Sequence, residues 1–160
     1  MTSIDQLLAS LNIVLPTPPS AVANYVPYVI EGNKVIISGQ LPLKNGQVAF
    51  KGKIGQEVSL EEGQTAARLC AINILTQLKD ACAGDLGRVQ KCLRLGGFVS
   101  CNSDFIDHSK VINGASDLMV EVFGEKGRHA RAAIGRAHGA NRALRRRRMG
   151  GRRRSRPRWG

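Results

Sequence analysis

One long helix, signalled at both ends, does most to limit what this chain can fold into. Ser59 followed three residues later by Glu62 forms a capping box, in which each side chain satisfies the other residue's backbone N–H. Beyond it Ala67, Ala71, Ile74, Leu75, Leu78 and Cys82 recur at i, i+3, i+4 spacing as a single apolar stripe. Gly84 then stops the helix, as a glycine just past a helix C-terminus does. A helix with one apolar stripe must bury it against a second layer, so the flanking segments have to supply that layer.

They read mostly as sheet. Residues 25–38 pattern as a hairpin: Tyr25 to Ile30 is β-prone, Glu31-Gly32-Asn33 is turn-like, and Lys34 to Ser38 is β-branched and apolar. Pro27 belongs near an edge or a strand start. A third strand is expected over Val48–Ile54, after the Lys44-Asn45-Gly46 turn. Val89–Val99 reads as a strand, and its Gly96-Gly97 pair suggests a bulge or a close backbone approach. A second long helix is expected to start between Ser103 and Asp107, to bury Val111, Ala115, Leu118, Met119 and Val122, and to stop at Gly124. Gly114 should weaken it by ~1 kcal/mol relative to alanine. Residues 130–134 begin one more strand. At the N-terminus Ser3 and Gln6 form another capping box ahead of Ile4, Leu7, Leu8 and Leu11, and three prolines between Leu15 and Pro19 impose a loop. The order ββ(β)αβαβ is that of an α+β domain with two helices on one face of a mixed sheet. The opposite face would be bare in a monomer, and an exposed apolar face of that kind calls for oligomerisation.

With 160 residues the chain is expected to build one core domain, at 15–135, preceded by an N-terminal helix over 1–14 and followed by an arginine-rich, disordered tail over 136–160. No apolar run approaches the ~20 residues of a membrane span. The first twelve residues carry an acid and no basic n-region, so cytoplasmic residence is expected. Cys70, Cys82, Cys92 and Cys101 contain no C-x-x-C pair and read as reduced, structural thiols; no metal is expected. His108, His129 and His138 have no second ligand or acid at a useful helical spacing and are expected to face solvent. The formal net charge of +12 is unevenly placed. Residues 1–135 hold 13 Lys+Arg against 12 Asp+Glu, whereas 136–160 hold 11 Arg and no acid. The body is therefore near neutral.

Several segments together resemble the RidA/YjgF family, in its endoribonuclease L-PSP, chorismate mutase-like branch. Tyr25 ahead of the turn, then Val35-Ile36-Ile37-Ser38-Gly39-Gln40-Leu41-Pro42, is similar to that family's opening hairpin. Glu61-Glu62 with Ala66-Ala67 is similar to its first helix, and Val122-Phe123-Gly124-Glu125 followed by Ala130-Arg131-Ala132 resembles its second signature. The resemblance covers about residues 15–135. It implies a homotrimer with helices outside, a small carboxylate-bearing ligand between subunits, and no cofactor. It also implies possible hydrolysis of enamine or imine intermediates of 2-amino acids to 2-keto acids and ammonia. Carried over position by position, Arg131 stands where the family places a carboxylate-binding arginine, Ser38 and Gly39 resemble a ligand-facing strand end, and Tyr25 matches the cleft wall. The chain departs from the family at His129, where Pro or Ala is usual. It departs again after Gly135, where a strand of the type Val-Glu-Ile-Glu, with its water-positioning Glu, is missing.

The tail admits two readings. Arg, Gly, Ala and Pro belong to G/C-rich codons, so residues 136–160 fit an out-of-frame translation of the family's last strand. Alternatively Arg145, Arg146, Arg147 and Arg148, with Arg152 to Arg154, would neutralise phosphates while Trp159 stacks on a base, making the chain an RNA-binding or ribonuclease-like protein through its tail alone. A non-catalytic ligand-binding or regulatory protein is the third alternative.

Overall fold

Both expected capping boxes close in the computed structural model, which describes residues 3–18 and 24–137. The Ser3 hydroxyl accepts from the Gln6 N–H at 3.2 Å and the Gln6 side chain accepts from the Ser3 N–H at 2.9 Å, opening helix α1 (Ile4–Ser10). Ser59 and Glu62 repeat the arrangement at 3.1 and 2.8 Å and open α2 (Leu60–Ala81). The third helix, α3 (His108–Phe123), starts at Asp107 without a side-chain cap and ends on Gly124, whose φ of 58° only glycine adopts without strain.

The core lies between α2 and α3. Ala67, Ala71 and Leu75 from the α2 stripe are buried with Val111, Ala115, Leu118, Met119 and Val122 of α3, and Leu8 of α1 joins them. Gly114 lies where the two helices come closest: a Cβ there would overlap the backbone carbonyl of Gln64. Gln64 Nε2 donates to the Lys110 carbonyl at 2.9 Å, and Arg68 meets Glu121 through two bonds of 3.2 and 2.7 Å, so polar ties flank the contact.

The fold is α+β, as expected, and its strands pair as three two-stranded sheets, two antiparallel and one parallel. β1 (Tyr28–Glu31) and β2 (Lys34–Ile37) form an antiparallel hairpin with Tyr28 opposite Ile37 and Val29 opposite Ile36. The Tyr28 hydroxyl donates to Asp80 of α2 at 2.7 Å; that bond and the carboxylate's charge raise the phenol's pKa above its ordinary value. The expected third strand at 48–54 is instead a tight hairpin of β3 (Leu43–Lys44) and β4 (Gln47–Val48). Asn45 and Gly46 both have positive φ, 52° and 76°, which suits a two-residue hairpin turn. Beyond it Gly52 takes a φ of 129° and Glu57 accepts from the Lys53 N–H at 2.8 Å, so the backbone turns away from a strand before Ile54 bridges to Cys101.

β5 (Arg94–Cys101) and β6 (Ala130–Ala137) run parallel, joined by α3 in a β-α-β crossover. β5 begins later than Val89 because Leu86–Arg88 forms a 3-10 turn and the Cys92 N–H donates to the Lys126 carbonyl. Pairing from Arg94 through Cys101 is continuous, so Gly96-Gly97 is no bulge. Gly97 serves close approach instead: a Cβ there would run into Ile112 of α3, as one at Gly135 would run into His108.

One face of the strands is covered by helices and the other is bare. On the bare face Phe98 is 82% exposed opposite Ile134 at 54%, and Val29 and Ile36 face out from the hairpin. All four cysteines are free. Burial pushes the Cys70 thiol up to about 11, and burial also raises Cys92 against the opposing charge of Lys91. Because the thiolate is the nucleophile, Cys70 should alkylate with iodoacetamide at pH 8 about two orders of magnitude more slowly in the folded chain than in urea. Peptide mass spectrometry after timed labelling measures this; equal rates in both states would contradict the burial. No helix among the described residues is long and apolar enough to cross a membrane.

Candidate functional site

The short strand start after α3 sets the site. Gly124–Gly127 makes a 3-10 turn, and Gly127 lies so close to the Met119 carbonyl that a Cβ would collide with it. This tight return lays Arg128 to Arg131 back alongside α3, with Arg131 reaching the middle of the helix. Arg131, the second residue of β6, is paired with Leu95 and extends over the helix face, where Nη1 donates to Asn113 Oδ1 at 2.8 Å and to Ser116 Oγ at 3.1 Å. Asn113 and Ser116 are three residues apart on α3 and so share one face. Among the described residues neither Nε nor Nη2 of Arg131 has a partner, and the side chain is exposed. One corner of the guanidinium is thus anchored while its Nε–Nη2 edge, two parallel N–H groups, stays open.

Ser116 continues the network. Its Oγ lies 3.0 Å from His129 Nε2, and His129 Nδ1 lies 2.6 Å from the Gly127 carbonyl oxygen. A carbonyl can only accept, so Nδ1 carries a proton, and Nε2 and the Ser116 hydroxyl, which can each donate or accept, share the second bond. Arg131, Ser116, His129 and the Gly127 carbonyl then form an unbroken donor–acceptor chain.

Two expectations for histidine need correction. His129 is hydrogen-bonded at both ring nitrogens rather than facing solvent. His108 places Nε2 3.4 Å from Sγ of the buried Cys101 and meets the Phe105 ring edge-on at 5.5 Å. These partners come from α3, from the Gly124–Gly127 turn, from β5 and from the loop ahead of α3, at separations that helical spacing does not reveal. His138 and the tail residues Arg145 to Arg148 and Trp159 lie outside the described residues. The acids that could have neutralised Arg131, Glu121 and Glu125, are bonded to Arg68 and Arg128 instead.

The remaining candidates cluster elsewhere. The Ser38 hydroxyl donates to the Val26 carbonyl at 2.6 Å and its N–H to the Pro27 carbonyl at 2.9 Å, closing the open end of the β1–β2 hairpin. Gly39 has open space where a Cβ would stand, and Tyr25 is exposed beside them. Among the described residues no hydrogen bond links this group to Arg131: the hairpin packs on α2, whereas β6 packs on α3. The fold therefore carries two separated groups, one at the hairpin end and one around Arg131. Sequence reading missed Asn113 and Ser116, whose only signal was polarity three residues apart on α3. Two open grooves, of about 540 and 330 Å³, flank Lys79 between α1 and the end of α2 and include none of these residues.

Comparison with known proteins places this geometry in context. The family model described as "YjgF/chorismate mutase-like, putative endoribonuclease" matches residues 5–138. Protein TCP17 of Trypanosoma cruzi is 44% identical over 129 residues, 80% of either chain. The crystal structure of the protein Atu1372 of Agrobacterium tumefaciens, of unknown function, is 46% identical with a TM-score of 0.77, over 84% of this chain and 81% of that one. A "putative endoribonuclease" of Shewanella oneidensis is 37% identical with a TM-score of 0.80, over 84% and 88%.

Proposed function

The chain belongs to the YjgF/chorismate mutase-like family, and from that premise we propose that it assembles as a homotrimer and binds a small carboxylate-bearing ligand at Arg131, in a cleft between subunits. Its reaction is hydrolysis of the enamine or imine of a 2-amino acid to the 2-keto acid and ammonia. The observation that carries this reading is the anchored guanidinium with its Nε–Nη2 edge open. That edge matches both oxygens of a carboxylate, and two parallel charge-assisted bonds hold the ligand in one orientation.

The bare face bearing Phe98 and Ile134 supports assembly, because apolar area of that kind is covered in a stable oligomer. In such an oligomer the exposed hairpin end, with Tyr25, Ser38 and Gly39, is available to complete a neighbour's Arg131 site. No cofactor or metal takes part in this reading.

The test is ammonia release from freshly generated 2-aminoacrylate. Arg131→Ala should lower kcat/KM about 10- to 100-fold, the cost of about 1.5–3 kcal/mol for hydrogen bonds to a charged group. An unchanged rate in the variant would remove Arg131 from the site. Binding of pyruvate without any ammonia release would favour a non-catalytic binder. A second reading, RNA cleavage, draws on the descriptions of the family and of the Shewanella relative; cleavage of a labelled RNA that survives Arg131→Ala would favour it.

A further inference from the structure

We infer that Asn113 and Ser116 form a neutral clamp on Arg131, positioning residues that impose side-on capture of a carboxylate and leave the guanidinium's charge to the ligand. The inference rests on the carboxylate reading above and adds what decides the orientation and strength of that capture. A guanidinium has five N–H groups, two of them on Nη1. Asn113 Oδ1 and Ser116 Oγ both accept from Nη1, at 2.8 and 3.1 Å. Two acceptors for two hydrogens leave Nη1 with none to offer, so an end-on approach across Nη1 and Nη2 is closed. The side-on edge, Nε with Nη2, is the pair of parallel donors still open. Ser116 Oγ is steadied in turn by His129 Nε2 at 3.0 Å, and His129 by the Gly127 carbonyl at 2.6 Å. The clamp therefore reaches back to the turn ahead of β6.

The chemistry of the partners matters as much as their place. Arg68 and Arg128 are each paired with a carboxylate, Glu121 and Glu125, as Lys79 and Lys110 are with Asp5 and Asp107. Arg131 is the one arginine among the described residues fixed by two side chains without charge. An arginine held by a carboxylate is equally well oriented, but its charge is already met, and the resident anion repels an incoming one. An amide oxygen and a hydroxyl hold the guanidinium plane without that competition. They also order a long side chain before the ligand arrives, so that binding does not have to order it. A hydroxyl inside a helix commonly bonds back to the carbonyl four residues earlier, as Thr65 and Thr76 of α2 do to Glu61 and Ile72. Ser116 Oγ lies between Arg131 and His129 instead.

The experiment is NMR titration of the full chain with pyruvate, with urea unfolding and sedimentation of every variant. Asn113→Asp decides the matter, because it keeps the shape of the clamp and changes its charge. It should bind pyruvate at least about 10-fold more weakly than the parent, and more weakly than Asn113→Ala, while its urea midpoint stays at or above the parent's. Asn113→Ala and Ser116→Ala free the guanidinium but leave its charge, so each should lose about 2- to 10-fold, the effect of ordering one long side chain. Ser116→Thr should bind as the parent does. Asn45→Asp makes the same change of charge on the β3–β4 turn, beside α2 rather than α3, and should leave binding unchanged. A role confined to structure predicts the opposite order, with Asn113→Asp equal to the parent and Asn113→Ala weaker. That order would overturn the clamp, as would weaker binding that only follows a lost urea midpoint or mass. Weaker binding in Arg131→Ala with parental binding in Asn113→Asp leaves the carboxylate reading standing and removes the clamp alone. Pyruvate binding unchanged in Arg131→Ala, or absent from the parent chain, overturns both.

Discussion

Valine at position 114 is expected to cost about 3 kcal/mol of stability, the upper end of the usual penalty for overpacking a core. The added Cβ meets the carbonyl of Gln64, which is backbone rather than the free end of a side chain. Relief requires α2 and α3 to part, and the parting would open the contact on which Leu75 and Leu118, both fully buried, depend. The Arg68–Glu121 and Gln64–Lys110 bonds across the same contact would lengthen with it. Gly114→Ala gives a sharper test of sign. Helix propensity alone favours alanine by ~1 kcal/mol, whereas the close crossing predicts a loss. Urea unfolding followed by circular dichroism decides between them, and a raised midpoint for the alanine variant would show that the helices have room to separate.

Phe98→Glu is expected to convert the proposed trimer to monomers and to abolish any activity that depends on shared clefts. Phe98 and Ile134 are opposite one another on the bare face of β5 and β6, and covering a phenylalanine side chain contributes about 1.5–3 kcal/mol per copy. Glutamate forfeits this and would place an unpaired charge in each interface. The monomer's core should be unaffected, because the side chain points away from both helices. Sedimentation equilibrium reads the mass directly. A parent protein that sediments as a monomer, or a variant that keeps the parent's mass, would contradict assembly through this face. Loss of activity together with loss of mass, at unchanged urea stability, would tie the site to the interface.

The contrast between the two positions shows where sequence reading succeeds. Ser59, Glu62 and the Ala67–Leu75 stripe act within three or four residues of one another, so the start, face and end of α2 were legible before any tertiary contact was known. The bare sheet face was legible too, because alternation along a strand assigns sides without reference to partners. Gly114 was not: on local grounds it is a weak helix residue, and only the neighbouring helix reveals that its missing side chain is required. The strand expected at 48–54 failed for a related reason. Its β-prone residues are real, but Gly52 and the Glu57–Lys53 bond redirect the backbone.

By itself the sequence determined three helices, a hairpin, an α+β layering and the position of Arg131 at the start of the last described strand. It did so because hydrogen-bond caps, turn residues and apolar periodicity are short-range. Tertiary structure alone decided what surrounds Arg131. Asn113, Ser116 and His129 are between 2 and 18 residues from it, and no periodicity links a mid-helix serine to a histidine beyond the helix end. They meet because the Gly124–Gly127 turn folds β6 back along α3, and the direction of a chain reversal is set by packing rather than by the identities of the side chains it brings together.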